Sequence, residues 1–244
     1  MRALRACGRF AHAVAHALRG WCTIVFVFPR LDQPQRNLRV QSWARGMLQV
    51  LGIELRVTGE PPMRGPLLLA ANHISWLDIL VLHAARHCRF VAKHEVRHWP
   101  LVGTLATGGG TLYIERNSRR DAMRVVHRMA EALRAGDILA VFPEGTTTDG
   151  TDLLPFHANL LQAAVSTDSP VQPVALTFRD SASGTMSQAA RYIDDDTLLG
   201  SVWGLLSSAP LTAVVAYGQP QVAAGRDRRR WAADLREAVL QLRH

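Results

Sequence analysis

Pro66 to Leu80 reads PLLLAANHISWLDIL: five apolar residues in a row, then Asn72, His73 and Ser75, then a helical pattern from Trp76. The apolar run reads as a strand and Trp76 to Arg86 as a helix, so the polar residues fall at a strand-to-helix turn. Working outward, the same alternation repeats. ELRVTG, CRFVAK, TLYIER, DILAVFPEG, PVQPVALTFR and LTAVVAYGQP also read as strands. Asp121 to Ala135, His157 to Thr167, Thr197 to Ser208 and the closing RDRRRWAADLREAVLQLR read as helices. Short strands alternating with helices predict an α/β fold, a mostly parallel mixed sheet flanked by helices. In such sheets sites form just beyond the carboxyl ends of the strands, which is where His73 falls.

Length and charge set the frame around this domain. The 244 residues are enough for one large domain, or a domain with an appendage, and composition is that of an ordinary globular protein. From Met1 to Ile53 there are eight arginines against the single acid Asp32, a net +7 out of the chain's +8. A basic body would suggest nucleic acid. A basic, apolar arm on a nearly neutral body points to an anionic membrane surface. Trp21 to Phe28 is unbroken but falls well short of the roughly 20 residues that span a bilayer. After Pro29, Val40, Trp43, Met47 and Leu51 recur at helical spacing. Residues 1–53 therefore read as a two-helix membrane motif lying in or dipping into the interface, anchored by Trp21 and Trp43, and residues 54–244 as the main α/β domain. The competing reading packs these helices on the domain core. No small-residue cleavage site follows the apolar run. Cys7, Cys22 and Cys88 are odd in number and lack C-x-x-C spacing, which suits a reducing compartment.

The turn itself admits two readings. Ser75 and Asp78 fit a capping box, which needs no catalysis. That leaves His73 unexplained. On one continuous helix His73 and Asp78 would lie about 140° apart, but across a turn Asp78 in the first helical turn can come back to the imidazole. A carboxylate on one ring nitrogen fixes the tautomer and leaves the other nitrogen free to take a proton from a substrate hydroxyl. No G-x-S-x-G elbow supplies a protein nucleophile, so direct attack by a bound alcohol is the simplest chemistry.

Further blocks follow downstream. GTLYIER, Gly110 to Arg116, ends a strand in a fixed positive charge suited to phosphate or carboxylate. VFPEGTTTDG, Val141 to Gly150, ends another in Glu144, Gly145 and three threonines. Glu144 could grip substrate hydroxyls, and Gly145 lets backbone approach a ligand. PVQPVAL, Pro170 to Leu176, opens the next strand with prolines that stiffen a wall. Each block alone has a plain structural reading, as surface ion pair, turn acid or strand punctuation.

Other motifs weigh less. HEVRH, His94 to His98, fits the zinc metalloprotease pattern H-E-x-x-H, but Pro100 leaves too little helix behind Lys93 to form a ligand face. GTLATGGGT, Gly103 to Thr111, lacks a phosphate-loop lysine and suggests a flexible lid or tight packing. His83 and His87 lie one helical turn apart, and such a pair is usually unmetallated. Trp231, Leu235, Val239 and Leu242 form a core stripe.

Taken in order, NHISWLD, GTLYIER, FPEGT and PVQPVA resemble the signature of the membrane glycerolipid acyltransferase superfamily, the lysophosphatidic acid acyltransferases in particular. The resemblance covers about Glu54 to Gly218. It implies transfer of an acyl group from acyl-CoA or acyl carrier protein to the free hydroxyl of 1-acyl-glycerol-3-phosphate, giving phosphatidic acid in phospholipid biosynthesis, with lyso-ornithine lipid or another lysolipid as the alternative acceptor. His73 and Asp78 would be the catalytic pair, with Asn72, Arg116, Glu144, Gly145 and Thr146 binding substrate. No metal or other cofactor is implied, and no nucleic acid partner. Location at the inner, cytoplasmic membrane, peripheral or monotopic with the site facing the cytoplasm, would follow. One departure stands out: phosphate-acceptor relatives often continue F-P-E-G-T with Arg-Ser, where this chain has Thr147, Thr148 and Asp149. That resembles the branch acting on lyso-ornithine lipid.

Overall fold

The computed structural model describes residues 2–114, 119–193 and 195–243. Strands β1 (Ile53–Thr58), β2 (Leu67–Ala71), β3 (Arg89–Lys93), β4 (Leu112–Ile114), β5 (Ile138–Val141), β6 (Val171–Asp180) and β7 (Leu211–Tyr217) form one sheet in the order β1-β7-β6-β2-β5-β3-β4. From β6 through β2, β5 and β3 to β4 every neighbour is parallel. β7 runs antiparallel to β6 and carries β1 with it. The mixed, mostly parallel sheet expected from the alternation is the sheet found.

Helices cover both faces, which is why β2 is apolar at every position. Leu67, Leu69 and Ala71 point into one core with α2 (Gln33–Leu51), α3 (Leu77–Ala85) and α7 (Leu198–Ser207). Leu68 and Ala70 point into a second core with α5 (Arg119–Arg134), α6 (Gln162–Thr167) and α8 (Arg228–Leu242). Trp231, Leu235 and Val239 of α8 are fully buried there, as their stripe predicts. Two helices complete the order: α1 (Arg2–Cys22) and α4 (Val102–Gly108), the latter formed inside the glycine-rich stretch. A Cβ on Gly103 would meet the Arg97 carbonyl oxygen at 2.1 Å, so that glycine answers to close packing, one of the two readings of the segment.

The N-terminal arm departs from expectation. α1 continues through a π turn, Thr23–Val27, and a short 3₁₀ turn, Phe28–Arg30, so helical structure is longer than the apolar run alone suggests. By length and composition, Arg5–Arg30 is long and apolar enough to cross a membrane, the one such helix among the described residues. α2 is different. Asp32 caps it through a reciprocal box with Gln35, and Gly52 closes it in the left-handed conformation. Its stripe of Val40, Met47 and Leu51 is buried. Trp43 is turned onto α1: its indole N–H donates to the His16 carbonyl at 3.0 Å, and the rings stack at 5.5 Å. The stripe expected at a lipid interface thus packs on the domain, because amphipathic periodicity marks an apolar face without saying what covers it.

Candidate active site

β2 ends at Ala71, and the chain turns through His73 into α3. Asp78, in the first turn of that helix and wholly buried, brings Oδ2 to 2.7 Å from His73 Nδ1. The same oxygen accepts the backbone N–H groups of Ile74 at 2.7 Å and Ser75 at 2.9 Å. The two readings of the sequence therefore coincide. Asp78 is the reaching-back half of a helix cap, and its oxygen also holds the imidazole. With Nδ1 facing Asp78, Nε2 is the nitrogen free for the cavity that the ring lines.

The FPEGTTT segment after β5 fixes His73 from the other side. Glu144 Oε1 accepts the backbone N–H of His73 at 2.8 Å, and its Oε2 accepts that of Leu154 at 2.8 Å. Thr148 donates its backbone N–H to the His73 carbonyl at 2.9 Å. Phe142 stacks flat on the imidazole, centroids 3.9 Å apart. Burial pushes the Glu144 carboxyl upward, while the N–H donors from Leu154 and His73 draw it back. Hydroxyl and backbone bonds from Thr151 hold Asp149 below the usual carboxylate range.

The remaining predicted residues divide. Asn72 is buried, with its side-chain N–H donating to the Leu176 carbonyl at 3.0 Å and its oxygen accepting the Leu176 N–H at 2.7 Å. It ties the turn to β6 like an extra rung of the sheet, an engagement that leaves it facing backbone in place of a ligand. Glu144 likewise has both oxygens on backbone. Gly145 and Thr146 are exposed, with Gly145 at φ +78° on the cavity wall. Arg116 lies outside the described residues. His94–His98 forms a 3₁₀ turn whose two histidine rings meet edge-on at 5.3 Å, and no group of three or more potential metal ligands occurs there or elsewhere among the described residues.

His73 opens onto an apolar cavity of about 700 Å³. Its wall is built from Phe10 and Ala17 of α1, Trp43 of α2, Phe90 of β3 and Leu105 of α4. Lys93 lines it too. Trp43 was expected in lipid, whereas Phe10, Ala17, Phe90 and Leu105 had no motif to mark them. A turn carrying a base and a cavity of hydrocarbon character suits proton removal from the hydroxyl of a lipid. The hold of Thr148 on His73 and the stacking of Phe142 also escaped the sequence, since neither depends on a conventional pattern.

Comparison with known proteins adds four findings. Residues 54–177 match the family described as Acyltransferase. The chain is 38% identical over 228 residues to a lyso-ornithine lipid O-acyltransferase of Pseudomonas aeruginosa, an alignment covering 93% of this chain and 87% of that one. It is also 38% identical over 184 residues to a 1-acyl-sn-glycerol-3-phosphate acyltransferase of Neisseria meningitidis, covering 75% and 71%. Among solved structures, PlsC of Thermotoga maritima, a 1-acyl-sn-glycerophosphate acyltransferase, superposes with a TM-score of 0.71 at 19% identity, covering 100% of this chain and 98% of that one. That last likeness speaks for the fold.

Proposed function

The chain belongs to the acyltransferase family, and from that premise we propose that it moves a fatty acyl group from an acyl-CoA or acyl carrier protein thioester to the free hydroxyl of a lysolipid. The observation that carries this reading is the His73–Asp78 contact, with the His73 ring on the wall of the apolar cavity. His73 Nε2 takes the hydroxyl proton as the acceptor oxygen attacks the thioester carbonyl. A C–O bond forms, the C–S bond breaks, and the proton passes on to the departing thiolate. Asp78 holds the tautomer and steadies the imidazolium that forms transiently. The acyl chain lodges among Phe10, Ala17 and Trp43.

Of the two acceptors, lyso-ornithine lipid has the broader support. The relative bearing that name aligns across more of this chain, and Thr147, Thr148 and Asp149 stand where phosphate-acceptor enzymes often place Arg-Ser. Lysophosphatidic acid is favoured by Arg116 in GTLYIER, a charge suited to its phosphate. Steady-state assays of both lysolipids with one acyl donor test the choice: a larger kcat/KM for lysophosphatidic acid would reverse it. Substituting His73→Ala tests the reaction itself, and retained turnover would remove His73 from it.

The enzyme works at an anionic membrane, on the cytoplasmic side of the inner membrane. The arginine-rich arm supplies attraction to anionic lipid, and Leu18, Phe26 and Leu38 present apolar side chains that are half exposed or more. Liposome flotation after deletion of residues 1–53 tests this, with undiminished binding counting against it.

A further inference from the structure

α8 supplies no residue to the cavity wall, yet its Arg236 and the Arg243 that caps its C-terminal end reach the segment that holds His73. Arg236 and Arg243 are seven residues apart, about two turns, and so share a face of the helix end. The burial of Trp231, Leu235 and Val239 fixes the helix in the second core and settles which way that face looks. Arg236 donates through Nε to the Leu153 carbonyl at 3.1 Å and the Leu154 carbonyl at 3.2 Å, and through Nη2 to Leu153 at 2.5 Å. Arg243, buried, donates through Nη2 to the carbonyls of Gly150 and, at 3.1 Å, Thr151. Four carbonyls of one five-residue stretch are thus held by two guanidinium groups.

The stretch is continuous with the groups that hold His73. Leu154, whose carbonyl Arg236 binds, gives its own N–H to Glu144, and Glu144 accepts the N–H of His73. At the other end Gly150 donates its N–H to the Thr148 hydroxyl at 3.3 Å, and Thr148 donates to the His73 carbonyl. We propose that Arg236 and Arg243 are positioning residues for acyl transfer: they hold segment 150–154 where Glu144 and Thr148 fix both backbone groups of His73. The proposal rests on His73 as the base. Arg243 makes this arrangement costly to build, since its Nε and Nη1 are buried without a partner among the described residues. A helix that only needed its end closed would not require a desolvated guanidinium at that place. Glu144, Asp152 and Asp149 supply the surrounding negative charge that keeps it charged, against burial that lowers its pKa.

The test uses the full chain, with acyl donor and lysolipid varied separately and rates expressed per folded protein. Arg236→Gln and Arg243→Gln should each lower kcat about tenfold, as small displacements of a reacting group do, with KM for both substrates within about twofold. Arg236→Lys, which still offers a donor to Leu153, should recover most of the loss. An unchanged kcat, a loss expressed in KM, no recovery by lysine, or failure of both glutamine variants to fold would each overturn the proposal. Failure of the underlying reading is separate and shows as turnover in His73→Ala.

Discussion

Glu144 bonds the backbone of His73, with Oε1 2.8 Å from the histidine nitrogen and Oε2 equally close to the nitrogen of Leu154. A carboxylate can accept on both sides at once; a carboxamide cannot. Glu144→Gln sets an NH₂ group against one of the two N–H donors, leaving a buried pair unmatched at a cost of about 1–3 kcal/mol. The expected result is a lower thermal midpoint and a reduced kcat with KM nearly unchanged, read from melting curves and steady-state kinetics. A rise in acceptor KM instead would identify Glu144 as a direct substrate contact.

Asp78 gathers three donors on one oxygen, the imidazole Nδ1–H and two backbone N–H groups. In Asp78→Asn the carbonyl oxygen can still serve the backbone donors, so the helix start survives. That oxygen also still accepts Nδ1–H, so the tautomer is kept, but the imidazolium formed in the reaction loses its anionic partner. The kcat should fall by a factor of about 10² or more. Melting temperature and liposome binding measured on the same preparation should move little. A variant within tenfold of the parent rate would show that Asp78 serves only the helix.

The central strands were legible because a strand covered on both faces is an unbroken apolar run, as at Leu67–Ala71, whereas the mostly exposed edge strand β1, IELRVT, was legible from its apolar–polar alternation. α4 was not, since glycines in GTLATGGGT lower helix propensity, and the close approach of Gly103 to the Arg97 carbonyl comes from tertiary packing. The His73–Asp78 pair could be read because it is local, closed within one turn of chain. Asn72 was identified as polar and placed correctly at the strand end, but its partner Leu176 lies 104 residues away, and nothing in the spacing says that it faces backbone. The same holds for Arg236 and Arg243, whose carbonyl partners lie more than 80 residues upstream.

Gly145 sits at φ +78° on the wall of the cavity, and a Cβ there would lie 2.9 Å from His157 Cδ2 and 3.0 Å from its Nε2. Gly145→Ala therefore combines a left-handed backbone with a crowded side chain, at a cost of about 1 kcal/mol or more. Adding His157→Ala removes the crowding but leaves the backbone unchanged. The double variant should recover part of the lost stability in urea melts and not all of it. Full recovery would mean that the conformation of residue 145 carries no penalty.

His83 and His87 link the fold to pH. Burial, reinforced by the neighbouring His87 charge, lowers the His83 pKa from 6.5 to about 3. Burial also lowers His87 to about 4; Arg86 and Arg89 act in the same direction, while the Gly109 carbonyl and Asp137 oppose it. The rings lie 5.2 Å apart, with Phe90 edge-on to His83 at 5.0 Å. Above pH 6.5 both histidines are neutral whether the chain is folded or not, so they add no pH dependence. Below it the unfolded chain binds protons that the folded one refuses, and stability falls with pH until about 3, where the folded rings begin to titrate. Between pH 7 and 5 the His83 contribution alone amounts to about 2 kcal/mol. His83→Leu keeps an apolar side chain beside Phe90 and removes the titrating group. Urea midpoints at the two pH values should converge in this variant relative to the parent, and equal pH sensitivity in both proteins would show that His83 takes its proton in the folded state.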